Sequence, residues 1–272
     1  MSGWLTRRQQ GVQNVAGGGA KWLEVAPVRF PGWIASFARR HGAGLPGSSL
    51  AVALAGDEVS FTAPDGAVAD CHPPFPPVRE LAVPLPAYPD VAAAIAAHAQ
   101  QPRTVGVLLV RLGGYAAGVF TGSPPRLADA KTGSRPVHGR SAAGGRSQHR
   151  FARRREKQAN EALQAAANTA VDVFGRWPGA GPDGAGHGGQ PGGLITATGG
   201  VAESERRPRL DAVVLGGDKR AIAELREDPR LAPYLRIATD RFLTVPDPRR
   251  RVLEDAPRLF LAVKIRLTEP AP

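Results

Sequence analysis

Short apolar runs joined by glycine-containing turns predict two β-hairpins in the first half of the chain. Runs 49–55 and 58–63 flank Gly56-Asp57, and runs 105–110 and 115–120 flank Gly113-Gly114. Such glycine dipeptides supply the backbone conformations that tight hairpin turns require. Further strands are predicted at 209–216 and, from alternating side chains, at 259–267.

Four segments have the pattern of helices. Segment 148–174 contains neither glycine nor proline, and its apolar residues recur at helical spacing. Segment 90–101 is rich in alanine, with Asp90 predicted as its N-cap, and segment 218–227 follows a predicted strand. Apolar residues from Trp22 to Phe37 predict a helical region in which Pro31 occupies the first turn. Hairpins, one long helix and strand–helix units predict an α+β fold, a mixed β-sheet with packed helices.

Glycine- and proline-rich stretches predict the division into domains. Residues 1–19 are predicted as a flexible N-terminal arm, 20–48 as a small helical region and 49–268 as the main domain. Within the main domain, residues 178–193 consist largely of glycine and proline and predict a flexible insert that cannot bury enough surface to fold. Residues 72–89 hold seven prolines and predict an extended connector.

Charge and composition narrow the class of partner. Lys and Arg number 35 against 24 Asp and Glu, for a net charge of +11, which favours a polyanionic partner. The single cysteine, Cys71, excludes an intramolecular disulfide and multi-cysteine metal sites, and is expected to be a partly buried thiol. The sequence shows neither a signal peptide nor an apolar run that is typical of a membrane span, so we expect a soluble, cytoplasmic protein. We also expect a monomer without metal or cofactor.

The charge is concentrated in one window. Residues 131–160 hold nine basic side chains and one acidic one, Glu156. On a helix, Arg150, Arg153, Arg154 and Lys157 fall on one face, which we call the cationic ridge. A ridge of this kind either faces solvent or contacts phosphates, and its continuity with a glycine-rich loop favours RNA.

The segment 138–155, HGRSAAGGRSQHRFARRR, resembles the catalytic loop and following helix of archaeal and eukaryotic peptide-chain release factors. Their pattern is a basic residue, Gly-Gly-Gln-Ser, a short spacer and Arg-Phe-Ala-Arg-x-Arg, and residues 150–155 match its end closely. The likeness extends over about 104–225 and implies the catalytic-domain fold of those factors, with a long exposed loop leading into a long basic helix.

The sequence departs from that pattern at the glutamine. Gly144-Gly145 is followed by Arg146, and a glutamine appears two positions later as Gln148. With its glutamine displaced in this way, the segment resembles the loop of the release-factor-like peptidyl-tRNA hydrolases of ribosome rescue, in their actinobacterial and chloroflexi branch. That resemblance implies a hydrolase that acts on peptidyl-tRNA on the ribosome, in contact with the large subunit and its rRNA.

The chemistry of ester hydrolysis in an RNA-lined centre suits these residue types. Glycines let the backbone approach closely, and an amide can position a water or support the developing oxyanion. The predicted catalytic residues are Gly144, Gly145, Ser147, which is also a candidate helix N-cap, and Gln148. The predicted RNA-binding residues are Arg135, His138, Arg140, Arg146, Arg150, Arg153, Arg154 and Lys157.

Alternatives remain open at this level. The protein could instead remove the 3′ end of the tRNA as a nuclease, or bind the ribosome without catalysis. Gly188-Gly189-Gln190 spells the release-factor tripeptide but lies in the glycine–proline insert, so chance is its favoured origin. Residues 216–219 are expected to form a strand-to-helix turn capped by Asp218 rather than a phosphate loop, and a Mg²⁺ site at Asp211 with Asp218 or Asp240 is disfavoured.

Overall fold

A computed structural model describes residues 13–14, 20–43, 48–78, 90–111, 114–134, 147–177 and 209–270, with the backbone alone at 13–14 and 147–155. The chain forms two compact units, residues 1–101 with 258–272 and residues 102–257. This division groups the first predicted hairpin with the N-terminal region, whereas the predicted main domain began at residue 49. None of the described helices is both long and apolar enough to cross a membrane.

The first unit is an antiparallel sheet covered on one face by two helices. Its strands are β1 (Gln13–Asn14), β2 (Lys21–Val25), β3 (Ala51–Ala55), β4 (Glu58–Thr62), β5 (Val68–His72) and, from the end of the chain, β11 (Val263–Thr268). Their order in the sheet is β1-β2-β11-β5-β4-β3. Helices α1 (Phe30–Arg40) and α2 (Asp90–Ala99) bury Phe30, Ile34, Phe37 and Ile95 against it. Every second residue of β11, beginning with Val263, faces this core, as the alternating pattern predicted.

The second unit is a mixed sheet with helices on both faces. Its strands are β6 (Val105–Arg111), β7 (Gly114–Thr121), β8 (Arg126–Ser134), β9 (Ala212–Gly217) and β10 (Ala238–Leu243). Their order is β10-β9-β6-β7-β8, in which β10, β9 and β6 run parallel to one another, and β7 and β8 continue the sheet in antiparallel pairs. The helices are α3 (Ser147–Gly175), α4 (Lys219–Leu225), α5 (Ala232–Leu235), α6 (Arg250–Glu254) and α7 (Ala256–Phe260), whose last three residues belong to the first unit.

The two faces of the second sheet hold different helices. Leu108, Val110, Ala117 and Val119 pack against α3 and α4 in one buried cluster. The intervening Gly118 lies on the opposite face, where a Cβ would meet Leu253 of α6 at 2.8 Å. The α+β class and the mixed sheet are therefore confirmed, with two sheets in place of one.

Both predicted hairpins and the long helix are present, and α1 carries Pro31 in its first turn as predicted. Other predictions were wrong. Trp22 and Val25 belong to strand β2, and residues 131–134 continue β8, although the lack of hydrophobic periodicity over 131–145 predicts a loop there. Asp90 is the first residue of α2. Cys71 is fully buried, and the final strand starts at Val263 because α7 occupies 256–260.

Candidate functional site

The candidate loop, residues 135–146, connects the end of β8 to the start of α3. Most of the predicted site falls on it or just after it, so its side chains lie outside the described residues. This holds for the catalytic Gly144, Gly145, Ser147 and Gln148 and for the RNA-binding Arg135, His138, Arg140, Arg146, Arg150, Arg153 and Arg154. The backbone of α3 places Ser147 and Gln148 as its first two residues. The roles of these residues stay predictions.

The loop leaves the second sheet at the end where its parallel strands finish. Ser134 pairs with Gly114, which pairs in turn with Arg111 at the end of β6. Val110 of β6 pairs with Gly217, the last residue of β9. We call this side the loop end of the sheet. Open sheets containing parallel strands bind ligands outside the carboxyl ends of those strands, so the loop lies where such a fold builds sites.

The C-terminal half of α3 is held against the sheet by small apolar side chains. Ala166, Ala167 and Ala170 are buried, which lets the helix approach closely, and Phe174 fills the last turn. Phe174 depends on a glycine beneath it, since a Cβ on Gly106 would lie 3.1 Å from its ring. This packing fixes the part of α3 farthest from the loop.

A network of ion pairs ties the same end of α3 to β8. Arg176 donates from Nε to Asp129 Oδ2 at 2.7 Å and from Nη1 to Asp172 Oδ1 at 3.0 Å. Lys131 donates to Asp172 Oδ2 at 3.1 Å, and this hydrogen bond is the main reason that the pKa of Asp172 lies below its ordinary value. Lys131 was counted in the basic window, but an acid outside that window neutralises it.

Arg230 forms a second clamp, between the turn after α4 and the middle of α3. Its Nη2 lies 2.6 Å from Asp228 Oδ2. It also donates to Asn168 Oδ1 at 2.7 Å and to Gln164 Oε1 at 3.4 Å. The hydrogen bond from Arg230 lowers the pKa of Asp228 below its ordinary value. We call the contacts of Arg176 and those of Arg230 the two clamps on α3. The sequence predicts neither of them, although the four-residue spacing of Asp172 and Arg176 is a recognised signal for a helical ion pair.

The N-terminal part of α3 extends beyond these contacts. Ala162 is the first buried side chain of α3 among those described. From Ser147 to Ala162 the helix rises about 22 Å. Lys157, a predicted RNA-binding residue, is 80% exposed on this stretch, 3.9 Å from Glu161. The arrangement puts the loop at the start of a long helix whose other end is fixed.

Residues 216–219 form a strand-to-helix turn, as expected. Asp218 caps α4 by accepting hydrogen bonds from the backbone N–H groups of Arg220 and Ala221. Gly217 has a φ of +102°, and a Cβ there would overlap the carbonyl oxygen of Val110. The glycine therefore serves the close approach of β9 to β6.

The candidate Mg²⁺ site at Asp211 is not supported by the described residues. Asp211 accepts a hydrogen bond from the backbone N–H of Thr104 at 2.6 Å. Within the described ranges, no three His, Cys, Asp or Glu side chains are grouped to hold a metal ion. Residues 188–190 lie outside those ranges.

Comparison with known proteins gives one family. A family model described as the actinobacteria/chloroflexi VLRF1 release factor, acVLRF1, matches residues 103–266, and no curated protein matches. Among solved structures, the chain is similar to the crystal structure of the archaeal translation termination factor aRF1, at 13% identity and a TM-score of 0.34. That alignment covers 87% of this chain and 63% of the archaeal factor, so the chain spans less than two thirds of its length.

Proposed function

The chain belongs to the actinobacteria/chloroflexi VLRF1 release factor family, and from this membership we propose that it is a ribosome-associated peptidyl-tRNA hydrolase that frees nascent chains from stalled large subunits. The observation that carries the proposal is the extent of the family match. Residues 103–266 include the second sheet, the candidate loop and the whole of α3. Residues 138–155 lie within that matched range, which supports the proposal.

The position of the candidate loop supports a role in a confined centre. Its two ends are Ser134, paired in the sheet, and Ser147, the first residue of α3. A twelve-residue loop whose two ends are held by a strand and a helix can enter an RNA-lined cavity that has no room for a folded domain. Gly144 and Gly145 give its backbone the freedom for close approach to the peptidyl-tRNA ester.

Gln148 is the residue we assign to the attacking water. As the second residue of α3, it lies in the first turn, where backbone N–H groups have no acceptor inside the helix. Such N–H groups, with the positive end of the helix dipole, favour the negative charge that develops on the ester oxygen during attack. The Gln148 amide would orient the water, and the guanidinium groups that follow would hold rRNA phosphates without reading sequence.

The test uses purified large subunits that carry a labelled peptidyl-tRNA, incubated with the full chain. We compare wild type, Gln148→Ala and the control Asn160→Ala, which removes an exposed amide side chain from the same helix. Peptide release and the sequence of the tRNA 3′ end are followed together. We expect wild type and Asn160→Ala to release peptide from intact tRNA, and Gln148→Ala to lose at least about 100-fold in rate.

Each other result replaces the proposal. Release that leaves a shortened tRNA would assign the protein to the nucleases. Binding of the subunit without release by wild type would make it a non-catalytic ribosome-binding factor. Equal release by wild type and Gln148→Ala would leave hydrolysis standing and remove Gln148 from it.

A further inference from the structure

Three consecutive arginines, Arg249, Arg250 and Arg251, lie at the loop end of the second sheet. They follow Pro248, whose Cδ is 3.4 Å from where a Cβ on Gly114 would lie. Gly114 pairs with Ser134, the last strand residue before the candidate loop. The arginine run therefore begins beside the base of that loop, although about one hundred residues separate them in sequence.

The segment that carries these arginines is fixed at both ends. Before it, Val245 is buried and its carbonyl accepts a hydrogen bond from Nη1 of Arg111 at 2.8 Å. After it, Leu253 is fully buried on the face of the sheet opposite α3. Pro246 and Pro248 restrict the backbone between these points. The arginines are thus presented by a constrained scaffold, which reduces the entropy lost when a partner binds.

Arg249 and Arg251 differ from Arg250 in their ion pairing. Arg250 pairs with Glu254 at 2.9 Å. Arg249 and Arg251 are exposed, and neither is in an ion pair with an acid of the described ranges. Their guanidinium groups are therefore available to the phosphate oxygens of a polyanion.

The other end of the sheet carries both paired and exposed cations. Arg176 and Arg230 are held by carboxylates there, and the half-buried Arg103 lies beside Asp211. Arg209 and Arg236 are exposed at that end, one before β9 and one before β10. These two match Arg249 and Arg251 in charge and exposure but lie at the end away from the candidate loop, so they serve as a control.

We propose that Arg249–Arg251 form a second RNA-docking surface that binds the phosphate backbone of large-subunit rRNA beside the candidate loop. The proposal rests on the proposed function, because rRNA is the polyanion that surrounds a loop entering the ribosomal catalytic centre. The surface has guanidinium groups, which bind phosphate oxygens in a bidentate manner. It contributes affinity and orientation, and no sequence readout.

The experiment measures binding of the full chain to purified large subunits over a series of KCl concentrations. The test variant is Arg249→Glu with Arg251→Glu, which leaves the Arg250–Glu254 pair in place. The control is Arg209→Glu with Arg236→Glu, which changes the net charge equally at the opposite end of the sheet. Thermal unfolding of each variant checks the fold, and Arg249→Gln with Arg251→Gln replaces the test variant if the charge reversal unfolds it.

We expect the test variant to bind about 10- to 100-fold more weakly near 100 mM salt. Loss of two phosphate contacts reduces the slope of log affinity against log salt by about 1.8. The control keeps the wild-type slope. Equal losses in both variants, or none in the test variant, would overturn the proposal.

Peptide release by wild type on the same subunits separates this inference from the proposed function. If wild type releases no peptide while only the test variant loses affinity, the docking surface stands and the hydrolase proposal fails. If wild type releases peptide and the test variant binds as the control does, the hydrolase proposal stands and the surface is refuted.

Discussion

Arg176, the residue after α3, donates from Nε to Oδ2 of Asp129 in β8 across 47 positions of sequence. With Asp172 and Lys131, the pair sets the register of the long helix on the edge strand of the second sheet. Exposed ion pairs contribute little to stability individually. Their value here is geometric, because they decide where the helix that follows the candidate loop can lie.

We predict that, as the pH falls, the ion pairs that hold α3 on β8 weaken at a higher pH than that at which the domain unfolds. The pKa of Asp172 is lowered, first by the hydrogen bond from Lys131 and then by the charges of Lys131 and Arg176. A lowered folded-state pKa stabilises the folded form above the ordinary value of 3.8, and that stability is lost as the pH falls through the folded-state pKa. When the melting temperature is measured from pH 7 down to pH 2, it should decrease less for Asp172→Asn than for wild type.

Ionic strength is the control for that experiment. The network is exposed, so about 0.5 M salt should reduce the difference between Asp172→Asn and wild type at neutral pH. A difference that is the same at all salt concentrations would show that Asp172 acts through packing rather than charge.

Gly217→Ala should be strongly destabilising. Alanine would have to adopt a φ of +102° and place its Cβ against the carbonyl oxygen of Val110. We expect a loss of at least about 3 kcal/mol in the free energy of unfolding, measured by urea denaturation. Gly122→Ala separates the two causes, since Gly122 has a φ of +83° but its nearest neighbour is 3.9 Å away, and about 1 kcal/mol is expected there. Equal losses at both positions would contradict a steric contact between β9 and β6.

Gly106 and Phe174 should be energetically coupled. A Cβ at Gly106 would lie 3.1 Å and 3.3 Å from two ring atoms of Phe174, tighter than ordinary contact. Gly106→Ala alone should destabilise the second unit by about 1 to 3 kcal/mol. Combined with Phe174→Leu, it should cost clearly less than the sum of the two single losses. The same cycle with Phe37→Leu, in the first unit, should be additive, and coupling there would refute the local explanation.

Cys71 should report the opening of the first unit. Its side chain is fully buried in β5, and burial raises the pKa of the thiol well above its ordinary value. We expect an aromatic disulfide reagent at pH 8 to react at least about 1,000-fold more slowly with the native protein than with the protein in 6 M guanidinium. Because the sequence has one cysteine, the denaturant dependence of labelling measures this unit alone. Rapid labelling of the native protein would contradict the buried position.

Elements with local signals could be predicted from the sequence. Gly56-Asp57 and the glycines near 113 marked both hairpins, and 27 residues without glycine or proline marked α3. Strand β8 carries polar and charged residues along most of its length, since it lies at the edge of the sheet, and its residues 131–134 therefore have the pattern of a loop. Strand β2 has no local signal of its own, because its place beside β11 depends on a pairing across most of the chain.

The candidate site also has one part that the sequence indicates and another that depends on the fold. The order of residues 138–155 indicated a release-factor loop, because a motif is a property of adjacent residues. The partners of Arg176 and Arg230 and the position of Arg249 beside the loop depend on the fold. The basic window is visible in the sequence, whereas the neutralisation of Lys131 by Asp172 depends on the fold.

The clamps on α3 also set the angular tolerance of the protein. From Asp172 back to Ser147 the helix rises about 38 Å, so a rotation of about 1.5° about the anchored end displaces the first helical residue by about 1 Å. Errors of that size in the position of a catalytic group can cost about two orders of magnitude in rate. A substitution at Arg176 or Arg230 that scarcely alters the melting temperature could therefore still lower the rate of reaction, because it displaces the distant start of α3.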